Sequence, residues 1–418
     1  MADWLITGCS ELLTLCGAVP RRGKALGELG IIRDGALLVR NDRIAAVGPR
    51  RKIERLREAR RAEKLDLQGR VVLPGFVDSH THLIFPESRA AEYEQRIRGT
   101  TYQQIARAGG GIRSTVKLLR RASPESLKSR ALAHLREFGA YGTTTLEAKS
   151  GYGLEWAGEL KTLDLLQELH QDQPLDVVST FLGAHVVPAE YRRRADAYVD
   201  LLVRAWIPAV ATAGLAEFCD VYCDRGAFTV EQSRRILRAG RACGLVPRIH
   251  AAQLARTGAS RLAIELQAAS ADHLEKINRD DIRALAASNV VCTMLPGCCF
   301  HLGLSHYAPA RGLIDAGAIV AVATDFNPGT SPTLSMPMIL SLACAQMRMT
   351  PAEAISAATI NPAYSLRVHD RAGSLEVGKY ADLAAFDVAG YREIPYYFGM
   401  NACSLTMKRG AIIHTKTL

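Results

Sequence analysis

From Val71 onward, short apolar runs alternate with longer stretches of helical spacing. The apolar runs predict strands at Val71–Val77, Thr143–Ala148, Val177–Leu182, Phe218–Tyr222, Val246–Ile249, Ala269–Ala271, Val290–Leu295 and Ile319–Ala323. Between them, helical periodicity covers Pro124–Phe138, Gly158–His170, Val230–Cys243, Arg279–Ala287 and Ala308–Ala316. About eight β–α alternations over some 250 residues is the pattern of a (β/α)8 TIM-like barrel. A doubly wound sheet is the alternative, but no Gly-rich dinucleotide turn follows the first strand.

The two ends of the chain read differently. Ala36–Arg40, Asn41-Asp42 and Arg43–Gly48 form a hairpin pattern with a polar turn, and Lys52–Ala62 is charge-rich, a short exposed helix or loop. After a helical stretch near Thr350–Leu366, strand character returns at Gly373–Asp387 and Ser404–Ile413. The ends should therefore pair into a small discontinuous β-sandwich. The expected division is 1–70 and 371–418 for the sandwich and 71–370 for the barrel.

Composition narrows the class. Hydrophobic residues make up 48% and charged residues 22% of 418 positions, the balance of a chain with a packed core. No apolar run is long enough to span a membrane, and Met1-Ala-Asp-Trp-Leu-Ile lacks the features of a secretory signal. Ten cysteines without C-x-x-C spacing read as reduced thiols of a cytoplasmic protein. The net charge of +10 would steer a small anionic substrate inward. Nucleic acid is not indicated, because the basic clusters at Arg50–Arg61 and Arg192–Arg194 carry no interleaved aromatics.

The candidate chemistry starts at Val71-Val-Leu-Pro-Gly-Phe-Val-Asp-Ser-His-Thr-His-Leu83. Side chains alternate along an extended chain, so His80 and His82 share a face and Thr81 points away. Alone, such a pair is most often solvent-exposed. In a parallel barrel, however, functional side chains gather at the C-terminal strand ends. Polar residues recur there: His80 and His82, then Glu147 and Lys149, His185, Asp220 and Asp224, His250, Asp272-His273 and Asp325. His80, His82, His250 and Asp325 would give one divalent ion three imidazoles and a carboxylate, a set suited to Zn2+ or Fe2+. The competing readings are a hydrogen-bonded core histidine for His250 or His273, and a helix cap for Asp325.

The chain resembles the amidohydrolase superfamily and, within it, the imidazolonepropionase family of histidine degradation. The resemblance runs over nearly the whole length, on Val77-Asp-Ser-His-Thr-His82, Gly109-Gly-Gly-Ile-Arg-Ser-Thr115, Thr143-Thr-Thr-Leu-Glu-Ala-Lys-Ser-Gly-Tyr-Gly-Leu154, Thr180-Phe-Leu-Gly-Ala-His185, Ser270-Ala-Asp-His-Leu274 and Ala323-Thr-Asp-Phe-Asn-Pro-Gly329. It implies hydrolytic opening of 4-imidazolone-5-propanoate to N-formimino-L-glutamate, in a homodimer. Asp325 would take a proton from water, His273 would orient that water or stabilise the oxyanion, and His185 would polarise the carbonyl or bind the ring. Arg89 would grip the propionate, with Tyr152 and Tyr102 adding hydroxyl donors. Asn327, Gly329 and Thr330 correspond to positions that contact the ring or product.

Three places depart from the expected pattern, the first of them from the superfamily's, since the resemblance implies that imidazolonepropionases accept either Glu or Gln there. Gln253 stands where many superfamily members carry Glu; an amide can hold the ring but cannot carry a proton. Phe85-Pro-Glu-Ser-Arg89 lacks the Gly that usually precedes the Arg. Pro296-Gly-Cys-Cys-Phe-His-Leu302 places Cys298, Cys299 and His301 where small or aromatic residues are expected. Gln253 and the cysteines leave a related ring propionate, 2-thioxo or hydantoin, as an alternative substrate; a non-catalytic binding protein of the same fold is a separate alternative, against which the full ligand set stands.

Overall fold

Pro74-Gly75 divides the first long apolar run between two sheets. In the computed structural model, which describes residues 3–416, Glu63–Pro74 is one strand and Phe76–Asp78 is another. The first pairs with Leu383–Phe386, and the second with Thr143–Lys149. The chain changes partners at Gly75, whose N–H donates to Asp382 O while that of Phe76 donates to Gly142 O. A Cβ at position 75 would lie 2.2 Å from Thr144 Cγ2, so only glycine passes there. The boundary expected at residue 70 thus falls inside a strand, and the barrel begins at Phe76.

Eight parallel strands make the barrel: β1 Phe76–Asp78, β2 Thr143–Lys149, β3 Asp176–Ala184, β4 Phe218–Cys223, β5 Val246–Ala251, β6 Ser270–His273, β7 Val291–Met294 and β8 Ile319–Val322. Each neighbours the next in sequence, as β–α alternation requires. The joint between β1 and β8 is closed just past their ends. Asp325 N–H donates to His80 O, His82 N–H donates to Phe326 O, and Thr81 bridges Phe326 in parallel. The segments that complete the barrel are those carrying the candidate ligands.

The outer helices follow from their sequences. Pro124–Ala140 starts where the Ser123 hydroxyl accepts the Ser126 N–H, with proline in its first turn. It buries Leu127, Ala131, Leu135 and Phe138, one stripe at helical spacing. Val230–Ala242 opens with a reciprocal Thr229–Gln232 cap. The stretch expected as one helix near Thr350–Leu366 is two, Pro351–Ala357 and Ile360–Ser365. Beyond the second, Leu366, Val368 and Ala372 cluster with Val77, Val178 and Phe218 of the barrel.

The chain ends form one seven-stranded sheet, in the order Ala411–Thr415, Cys403–Lys408, Leu383–Phe386, Glu63–Pro74, Trp4–Leu13, Ile31–Arg40 and Arg43–Pro49. The hairpin pairs Arg40 with Arg43, and Asn41 adopts the left-handed turn conformation. Its two halves share one core, in which Ile6, Leu12 and Leu37 meet Leu383, Leu405 and Met407. Lys408 ties this sheet to the barrel. Its buried ammonium lies 2.8 Å from Asp176 Oδ2, at the start of β3, and 2.7 Å from Asp382 Oδ2. Removing one member of a buried ion cluster leaves uncompensated charge. Lys408→Met should therefore lower unfolding stability by about 3–5 kcal/mol, read as a lower midpoint in urea melts.

Candidate metal-binding active site

Four strand ends converge on the candidate ligands. His80 Nε2 lies 3.6 Å and His82 Nε2 3.7 Å from Asp325 Oδ1. One donor atom from each of these residues falls within 4.8 Å of the others, and the same holds for His80, His250 and His273. The His80 and His250 rings are 4.6 Å apart. All of these side chains are buried. Burial, helped by Lys149 and His185 respectively, holds His80 and His82 well below the ordinary imidazole range, so both are neutral as ligation requires. Burial also pushes the Asp325 carboxyl up to about 6.

The ring nitrogens facing outward are pinned. His80 Nδ1 is 2.7 Å from Asp272 Oδ2, and His250 Nδ1 is 3.1 Å from Asp220 Oδ1. A carboxylate only accepts, so each Nδ1 carries a proton and each Nε2 is the nitrogen turned inward. Those two Nε2 atoms are buried with no hydrogen-bond partner. Orphaned, convergent imidazoles beside a carboxylate fit a divalent cation.

The carboxylates are held in turn. The Lys149 ammonium lies 2.8 Å from both Asp220 Oδ2 and Glu147 Oε1, fully buried; although burial opposes its charge, Asp220 and Glu147 keep it protonated. Arg248, also fully buried, reaches Ser79 O at 2.8 Å and Asp272 Oδ2 at 3.5 Å. Glu147 additionally accepts the Thr81 N–H at 3.1 Å, which fixes the strand between the two histidines. His273 and Asp325 have φ of 82° and 52°. For non-glycine residues this costs roughly 1–3 kcal/mol each, strain of a kind concentrated at functional sites.

Around this centre, two loops are shaped by buried acids. Glu159 accepts the N–H groups of Gly151, Gly153 and Leu154 at 2.8–3.0 Å. A Cβ at position 153 would lie 2.4 Å from Glu159 N, so the loop needs glycine. The loop turns Tyr152 to 5.4 Å from the His185 ring and offers Gly151 O to His185 Nδ1 at 3.0 Å. His185, held down to about 3 mainly by burial, is neutral and keeps its proton on Nδ1. Asp224 similarly accepts the N–H groups of Gln253, Leu254 and Ala255.

Arg89 is the other notable cation. Its side chain is 8% exposed, and Nε and Nη1 have no hydrogen-bond partner. A Cβ at Gly329 would lie 1.2 Å from Arg89 Nη2, so the guanidinium stands on the glycine. Asn327 spends its side chain on the same loop: Nδ2 donates to Asp325 O, and Oδ1 accepts from the backbone of Gly329 and Thr330. The Thr330 hydroxyl returns to Asn327. Gln253 Nε2 meets Cys298 Sγ at 3.5 Å. The side chain of Tyr102 lies outside the described residues. A cavity of about 680 Å3 opens elsewhere, where β5, β6 and β7 begin, lined by Val246, Ala269, Val290 and Tyr364 among others; it is remote from this chemistry.

Comparison with known proteins agrees with the geometry. The model of the amidohydrolase family matches residues 71–413. The imidazolonepropionase of Geobacillus kaustophilus (strain HTA426) is 47% identical over 420 residues, covering 99% of this chain and 98% of the relative. The chain belongs to the imidazolonepropionase family. A second imidazolonepropionase, from Solibacter usitatus (strain Ellin6076), is also 47% identical and covers both chains completely. An adenosine deaminase from Xanthomonas campestris, solved with bound zinc, superposes with a TM-score of 0.70 over 98% of this chain and 92% of its own. At 18% identity it shows the shared fold alone. Membership of the imidazolonepropionase family makes the chain a hydrolytic enzyme and implies a divalent metal.

The sequence reading did not assign Asp220, Asp272, Lys149, Arg248, Glu159 or Glu275 a part in this imidazolonepropionase-family site. Asp220 and Asp272 were visible as strand-end acids; their pairing with His250 and His80 needed the cross-strand register. In that register Asp272 lies opposite His250 on β5. Partners of this kind typically contribute 10–100-fold to metal affinity. Asp272→Asn should weaken divalent-metal retention by about that factor, measured by chelator competition, with folding intact by circular dichroism.

Proposed function

We propose that the enzyme hydrolyses 4-imidazolone-5-propanoate to N-formimino-L-glutamate, the ring opening of histidine degradation. One observation carries the reading: a guanidinium whose Nε and Nη1 make no hydrogen bond, with Glu92 Oε2 at 3.9 Å from Nη1, stands on Gly329, four residues from Asp325. Such a cation calls for a carboxylate, and the substrate's propionate supplies it. Alternatives with a 2-thioxo or hydantoin ring, or without catalysis, are not favoured beside full-length relatives named imidazolonepropionase.

His80, His82, His250 and Asp325 would hold the metal, with Zn2+ as the proposed ion and Fe2+ as the alternative. When bound, it supplies a Lewis acid that lowers the pKa of water. Asp325 accepts the proton from the attacking water and returns it to the leaving ring nitrogen, because Gln253 cannot. His273, whose Nδ1 lies 3.5 Å from Glu275 Oε1, steadies the oxygen of the tetrahedral carbon. His185 plays a role narrower than polarising the carbonyl. With Nδ1–H given to Gly151 O, its Nε2 accepts, so it holds a ring N–H. Tyr152 packs beside it, and Gln253 hydrogen-bonds the ring. Asn327 and Thr330 shape the loop that carries Asp325, and Gly329 gives Arg89 its seat.

Ten unpaired cysteines suit the reducing cytoplasm. The exposed run Tyr396, Tyr397, Phe398 and Met400 offers an apolar surface for a homodimer.

Incubation of the metal-loaded enzyme with 4-imidazolone-5-propanoate should yield N-formimino-L-glutamate; no turnover of this ring would overturn the reading. Asp325→Asn should remain folded while kcat falls by several orders of magnitude. Arg89→Ala should mainly raise KM, since a charge-assisted hydrogen bond contributes roughly 1.5–3 kcal/mol. An unchanged KM would place the propionate elsewhere.

A further inference from the structure

Two departures from the expected pattern, Gln253 and Cys298, touch. Cys298 lies in the short helix Pro296–His301 that follows β7, fully buried, and its sulfur accepts from Gln253 Nε2 at 3.5 Å. One donor atom each from His273, Cys298 and Asp325 lies within 4.8 Å of the others. His273 is 3% exposed, and its Nδ1 lies 3.5 Å from Glu275 Oε1.

We propose that His273, Cys298 and Asp325 form a second, thiolate-bearing cation position that shares Asp325 with the first and takes a soft or borderline divalent ion such as Cd2+ or Zn2+. The chemistry of the donors argues for it. A thiol, an imidazole and a carboxylate select such ions over Mg2+ or Ca2+. Burial holds the Cys298 thiol in its protonated form, but a coordinating cation displaces the proton. Gln253 matters here as well. Its amide donates toward sulfur, whereas a glutamate in its place would set a second anion against the thiolate. The two departures are therefore one device. An ion bound here would occupy the Asp325 carboxylate that the proposed reaction uses for proton transfer, so filling the position should inhibit.

The inference rests on Asp325 serving the first ion, and a Cd2+ titration of the metal-free full chain separates the two. Expected are a first equivalent without sulfur-to-cadmium charge-transfer absorption, then a second that brings this absorption and inhibits turnover. Cys298→Ser and Cys298→Ala should keep the first equivalent, which also reports their folding, and lose the second with its absorption. Cys299→Ser should keep both, because the Cys299 thiol points to Glu275. Gln253→Glu should weaken the second equivalent alone. Saturation at one equivalent, or absorption that survives in both Cys298 variants, would overturn the second position. Failure to bind even the first equivalent would instead overturn the metal site of the proposed function.

Discussion

A carboxylate cannot be buried inside a barrel as a free charge, and the active site depends on how this chain meets that constraint. Asp220 and Asp272 are fully buried, and each holds the Nδ1 proton of a histidine. Lys149 and Arg248, equally buried, supply the compensating charge. Desolvating each ion costs several kcal/mol, recovered only where opposite charges and hydrogen bonds close around it. The upper barrel interior is thus an ionic lattice. Its rigidity fixes the orientation of the His80 and His250 rings, a task an aliphatic core could not perform.

The same region also completes the barrel. β1 and β8 meet through Asp325 N–H to His80 O and His82 N–H to Phe326 O. Beneath them, Asp78 accepts the Thr324 backbone N–H and hydroxyl. The spacing of the candidate ligands and barrel closure are therefore one geometric condition, and a shift in either would disturb both. The left-handed backbone at Asp325 is sustained because this closure over-determines it.

Several of the motifs that carry the family resemblance act one step away from the candidate ligands. The Lys149-Ser-Gly-Tyr-Gly-Leu154 turn wraps the Glu159 carboxylate and, through Gly151 O, sets the tautomer of His185. Asn327 closes the loop that seats Arg89 on Gly329. Loops near a metal centre have few neighbours to define them, so buried acids and tight glycines supply what packing does not.

Much of the fold was legible because its signals are local. Eight apolar runs marked all eight barrel strands, and the strand-ending His80, His82, His250 and Asp325 stood out, since a parallel barrel sends every strand's C-terminal end to one face. The switch of sheets at Gly75 was hidden, because Val71–Val77 is one continuous apolar pattern and only Thr144 and Asp382 reveal the handover. His185 illustrates the same limit: its type and place were readable, but whether it donates or accepts was decided by Gly151 O. The sequence by itself determined which donors exist and at which strand ends they sit, because periodicity and strand order are properties of neighbouring residues. Only the tertiary structure decided which acid holds which imidazole, which cation balances which acid, and that Gln253 meets Cys298, because those pairings join residues from different strands and loops whose register no local pattern encodes.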